Sequence, residues 1–251
     1  MEHELGLTAL FNNFLGGLGR AIYGLLHVHM ENPERPWENW LVMEILVVAL
    51  LMIAAALVRS QLSVDKPGTL QHVFESIYGF IKNLVDEVGV HHGEQYVPYI
   101  GTIFLFILSM NLIGMIPAFE SPTMVPYVGA GLAVVTFLYF NIMGFRAHGP
   151  KYLAHFAGPV RFDNVLANIA IILFMVPIEL ISVFIRPLSL TVRLYGNMFA
   201  GEQVTGVFLS LTKFLIPVIF MGLHVFVSLV QAYVFTLLTT IYISQAVEHE
   251  H

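Results

Sequence analysis

The 251-residue chain has no cysteine. That removes a disulfide framework and any thiolate metal site. Charge is scarce as well: Asp, Glu, Lys and Arg make up 11% of the residues, against about 25% in a soluble domain. No lysine- and arginine-rich run occurs, so nothing points to nucleic acid. Also missing are the Gly-rich loop closed by Lys-Ser/Thr, the serine elbow and the His-Glu-x-x-His pattern. His155 and Asp163 lie near each other with no nucleophile to serve, and His91, His92 and Glu94 do not share one helical face. Enzymatic chemistry within the chain is not expected, nor is a metal or a cofactor. No internal repeat is visible.

What is present is apolar: 57% of the residues are hydrophobic. Runs of roughly 20 such residues read as spanning helices, so the chain reads as an all-α integral membrane protein. Its start is acidic, Met1-Glu-His-Glu-Leu5, where a cleaved signal would be positive. The apolar stretch that follows is interrupted by Asn12, Asn13, glycines and Arg20. Residues 1–39 therefore read as an outside or interfacial segment, and residues 40–251 as the membrane domain. Apolar runs place spans near 40–58, 97–117, 124–145, 165–212 and 214–243. Residues 70–90 differ in kind. Leu70, Val73, Phe74, Ile77, Phe80, Ile81, Leu84, Val85 and Val88 recur at helical spacing between polar residues, which marks a helix lying along a surface.

Arg59, Lys66 and Lys82 fall in one connector, and Arg146, Lys151 and Arg161 in another. The span order puts both on one side, which the excess of basic residues assigns to the cytoplasm. The N-terminus is then outside. Residues 165–212 pose a length problem. As one helix they would extend roughly 70 Å at 1.5 Å per residue, against a hydrocarbon core of about 30 Å. Either the chain folds into two spans at Arg186-Pro187, or a single helix crosses obliquely.

The scarce charges inside this apolar stretch are the informative ones. An arginine at the centre of a spanning helix costs roughly 2.5–3.5 kcal/mol on insertion scales. Glu179, Arg186 and Arg193 are spaced by seven and share a helical face, which Asn197 extends by one turn. Ser189 and Thr191 flank it. His224 and Gln231 on the last span are again seven apart, with Ser228 between them. Arg186 reads as structural, with Glu179 its nearest acidic partner. Glu202 and His224 read either as a buried pair or as stations on a proton path, since both can be tuned toward neutrality. Gln231 and Asn111 read as interhelical hydrogen-bonding groups.

Residues 186–202, Arg-Pro-Leu-Ser-Leu-Thr-Val-Arg-Leu-Tyr-Gly-Asn-Met-Phe-Ala-Gly-Glu, closely resemble the signature of subunit a of F-type ATP synthases. The resemblance continues through residues 231–244 and 111–117 and covers the chain from about residue 40 onward. It implies that Arg193 is the family's essential arginine, facing the ion-carrying carboxylate of a rotating c-ring. It associates Glu202 and His224 with the half-channel open to the outside, and Gln231 with a polar position near the arginine. Asn197 and Glu179 match polar positions on the penultimate helix, Glu179 toward the cytoplasmic half-channel. The implied fold has five crossings, a cytoplasmic surface helix at 70–90, a cytoplasmic C-terminus, and a long, tilted final hairpin around the ring. The implied partners are the c-ring, b-type peripheral stalk subunits and membrane lipid, with one copy per complex in the cell inner membrane. One departure stands out: Met124-Val-Pro-Tyr127 replaces the polar residues many relatives carry there. Two rival readings are a self-contained secondary transporter, disfavoured by the missing repeat symmetry, and a purely structural anchor.

Overall fold

A computed structural model describes residues 5–26, 35–64, 66–90, 92–116, 119–152, 165–211 and 215–247. The expectations placed on His91, His155 and Asp163 lie outside these residues. Seven helices carry the described chain: α1 Gly6–Leu26, α2 Asn39–Ser60, α3 Thr69–Val88, α4 Val97–Ile113, α5 Pro126–His148, α6 Val165–Leu211 and α7 Leu215–Val247. No strand occurs among the described residues, and the chain is an all-α membrane protein. Four helical stretches are long and apolar enough to cross a bilayer: Asn39–Ser60, Pro126–His148, Leu173–Phe208 and Val218–Val247. The fifth apolar helix, α4, has 17 residues, about 25 Å at 1.5 Å per residue.

One helix ends before its apolar run does, and one length question is answered. The second apolar run was expected to reach residue 117, but α4 stops at Ile113. There the chain turns back so tightly that a Cβ on Gly114 would stand 2.7 Å from the Ser121 backbone nitrogen. The 165–212 stretch forms one continuous helix of 47 residues that runs through Pro177 and Pro187. Both prolines are tolerated, and Thr191 returns its hydroxyl to the Pro187 carbonyl at 2.9 Å.

Two compact units organise the helices, and α6 and α7 contribute to both. The first comprises Met1–Val73, Leu105–Val125 and Asn197–Val230. Here Asn12 clasps the chain ahead of α2 from both sides: its Oδ1 accepts the Trp37 N–H at 3.0 Å and its Nδ2 donates to the Trp37 carbonyl at 3.1 Å. The Trp37 indole N–H reaches the Leu15 carbonyl at 2.8 Å. The opposite side of α1 exposes Leu10, Phe14, Leu18 and Leu25, a polar-in, apolar-out arrangement that suits lipid rather than water. The C-terminal part of α6 pairs with the start of α7 in this unit, where Phe208 stacks on Phe220 at 4.2 Å.

The second unit comprises Phe74–Phe104, Pro126–Gly196 and Gln231–His251. The apolar stripe of α3 is buried at Ile81, Leu84 and Val85, and Phe80 meets Phe104 of α4 with ring centroids 5.7 Å apart. Tyr99 of α4 stacks on Tyr139 of α5 at 3.5 Å. Helix α5 approaches α6 through Gly129, where an added Cβ would lie 3.3 Å from the Thr191 carbonyl. In this unit α6 buries Val183, Leu190 and Leu194, while α7 buries Phe235, Thr239, Thr240 and Ile243. Two α7 threonines satisfy their hydroxyls on their own helix, Thr236 on the Ala232 carbonyl at 2.7 Å and Thr240 on the Thr236 carbonyl at 2.9 Å.

Candidate functional site

The two α6 arginines share a helical flank, yet their surroundings differ. Arg186 is half-buried, and its guanidinium carbon lies 5.1 Å from the centroid of the Tyr242 ring on α7. An aromatic face gives a cation about 0.5–2 kcal/mol, so this arginine has a partner within its own chain. Arg193 is half-buried between buried Leu190 and Leu194 and exposed Val192. Among the described residues its guanidinium has no hydrogen-bond or ion-pair partner. Ser189 is half-buried, and Asn197 is exposed. Glu179 lies within α6, but its side chain is outside the description, as is any pairing of it with Arg186. Gln231 and Ser228 of α7 are buried at 3% and 0% exposure.

Glu202 and His224 belong to the first unit together with Asn111. The Glu202 carboxylate accepts the Ser121 backbone N–H, and its Oε2 is buried without a partner. No hydrogen bond or ion pair joins Glu202 to His224 among the described residues. His224 instead borders a cavity of about 260 Å³ that Asn197, Gly201 and Thr205 also line. Gly201 is what makes room for the imidazole: a Cβ there would stand 3.0 Å from its Nδ1. Asn111 is fully buried, and its Oδ1 accepts the Thr123 hydroxyl at 2.7 Å.

Sequence reasoning passed over two residues of this unit. Asn39 Nδ2 donates to Glu120 Oε2 at 3.2 Å, and Glu120 lies within Coulombic reach of Glu202. The available signal was a single carboxylate in an otherwise uncharged connector. No group of three His, Asp or Glu side chains gathers as metal ligands among the described residues. The first unit holds a half-buried carboxylate with one buried oxygen and a half-buried imidazole, and the second holds a half-buried arginine, all on long apolar helices.

Residues 40–244 match the family model described as ATP synthase A chain. Among relatives, the ATP synthase subunit a of Solibacter usitatus is 52% identical over 243 residues, covering 96% of this chain and all of that protein. That of Koribacter versatilis is 46% identical over 252 residues, the full length of both. That of Geobacter sulfurreducens is 38% identical over 232 residues, 92% of this chain and 95% of that protein. The chain belongs to the ATP synthase A chain family.

Proposed function

We propose that the chain is the stator channel subunit of a rotary proton-translocating ATP synthase, present once per complex and not catalytic by itself. Its partners are the c-ring and b-type peripheral stalk subunits. It sits in the cell inner membrane with its N-terminus outside, and its C-terminus and α3 on the cytoplasmic side. Two aqueous half-channels reach part way in and do not meet. Glu202 and His224 serve the outer one, Glu179 the inner one, and Asn197 and Gln231 supply polar surface near Arg193. A ring carboxylate takes a proton from one half-channel, crosses lipid as the neutral acid, and releases it at the other. Arg193 stands between them. Its cation stabilises the ionised carboxylate as it passes, and guanidinium stays protonated even when buried. The membrane potential supplies about 2.3 kcal/mol per charge per 100 mV.

One observation carries this reading. Arg186 is matched by Tyr242, whereas Arg193 has nothing in its own chain to match it among the described residues. A costly intramembrane cation left uncompensated internally calls for a partner outside the chain, and a rotor carboxylate is the partner this reading assigns to it. Extraction in mild detergent tests it: a ring of small helical-hairpin subunits should co-purify with the chain. A chain that purifies alone and catalyses transport unaided in liposomes would instead be a self-contained transporter.

A further inference from the structure

The proposed reading brings an outside proton to Glu202 without saying what hands it over. The connector between α4 and α5 holds a candidate, and this inference rests on that reading. Glu120 is half-buried and fixed by Asn39, whose Nδ2 donates to it at 3.2 Å. Asn39 is itself held, since its Oδ1 accepts the Leu5 N–H at 3.3 Å. The next residue, Ser121, gives its backbone N–H to the Glu202 carboxylate. That bond engages one part of the carboxylate and leaves Oε2 buried without a partner.

The connector is held in place by a buried chain of polar groups. The Ser121 hydroxyl donates to the Met110 carbonyl at 3.0 Å and lies 2.7 Å from the Thr123 hydroxyl. Thr123 in turn donates to Asn111 Oδ1 at 2.7 Å, and Asn111 Nδ2 is fully buried with no partner. The loop is tied at three points, and Glu120 lies within Coulombic reach of Glu202. The residues that follow, Met124-Val-Pro-Tyr127, offer no titratable group except a phenol. Glu120 is thus a half-buried carboxylate next in sequence to Ser121, whose amide meets the Glu202 carboxylate.

We infer that Glu120 is the proton-transfer residue at the outer mouth of the channel. It takes a proton from outer water, passes it to a Glu202 carboxylate oxygen, and is left as the anion at the half-exposed end. The step moves one proton and creates no new charge in the apolar interior. A purely structural Glu120 would only anchor Asn39, a task a glutamine performs equally well.

The test uses membrane vesicles carrying the intact membrane sector, stripped of the soluble catalytic part, with passive proton conduction normalised to assembled subunit. Glu120→Gln should lower conduction roughly tenfold, less than a positioned acid–base group contributes in catalysis because water carries part of the flux. Glu120→Asp should retain part of it. The chain has no cysteine, so Glu120→Cys permits chemical rescue. A thiol reagent that attaches a carboxyethyl group should restore conduction, and one that attaches a methylthio group should not. Equal conduction in Glu120→Gln and the unmodified complex would overturn the inference, as would equal rescue by both reagents. Arg193→Ala, measured for ATP-driven pumping in parallel vesicles that keep the soluble catalytic part, separates the two levels. Lost pumping there leaves the channel reading intact while Glu120 is judged, and retained pumping overturns that reading and this inference with it.

Discussion

Arg186 and Tyr242 form a cation–π contact across α6 and α7, with 5.1 Å between the guanidinium carbon and the ring centroid. It ties α7 to the charge stripe of α6, one heptad before Arg193. Removing the ring with Tyr242→Leu leaves Arg186 uncompensated and costs about 0.5–2 kcal/mol. The expected outcome is less assembled subunit and a lower thermal midpoint, with proton flux per assembled complex close to normal. Immunoblotting and ATP-driven fluorescence quenching on the same vesicles separate the two quantities.

Gly201 limits what can stand beside His224. An alanine Cβ at 3.0 Å from Nδ1 and 3.3 Å from Cε1 requires the imidazole to shift by a few tenths of an ångström. The branched methyls of valine require far more. Flux should therefore fall modestly in Gly201→Ala and severely in Gly201→Val, at equal subunit abundance, with the pH dependence of conduction altered in both.

Buried hydroxyls at the α4–α5 connector have no water to fall back on. Thr123→Val removes the donor to Asn111 Oδ1 and strands a buried acceptor, at a cost of about 1–3 kcal/mol. The thermal midpoint of the assembled complex should drop accordingly. Thr123→Ser, which keeps the hydroxyl, should recover most of it.

Sequence patterns disclosed what is local and periodic. The spacing of Glu179, Arg186 and Arg193 marked α6 as the helix to examine, and the one-sided stripe of α3 recurs as buried Ile81, Leu84 and Val85. Whether 165–212 bends at Arg186-Pro187 could not be read, because a proline kinks a helix or passes through it according to what neighbours do for the freed carbonyls. The Asn39–Glu120 bond joins residues 81 apart, and no periodicity records such a pairing. Arg186 pointed in sequence to Glu179, whose side chain is outside the description, and its described contact is Tyr242 on another helix. Aromatic partners of this kind are invisible to charge spacing.

Lys82 of α3 and Glu94 of the following turn are 2.8 Å apart on the surface. The hydrogen bond and charge of Lys82 hold the Glu94 carboxyl below the usual 4.5, and Glu94 holds the Lys82 amine above the usual 10.5. The Glu94 contribution is complete above the ordinary carboxylate value and is lost as pH falls through the lowered one. That of Lys82 is complete below the ordinary amine value and is lost as pH rises through the raised one. A thermal-shift comparison of Glu94→Gln with the unmodified chain should therefore show a small difference, flat from about pH 5 to about pH 10. It should shrink at either extreme and in high salt.

ATP-driven proton pumping by vesicles carrying Arg193→Ala tests the central claim most directly, with subunit abundance and ATP hydrolysis recorded on the same preparation. Pumping should vanish while the complex assembles and still hydrolyses ATP, and Arg193→Lys should fail as well, because a buried lysine can lose its proton. Pumping at the normal rate in fully assembled Arg193→Ala complexes would contradict the account.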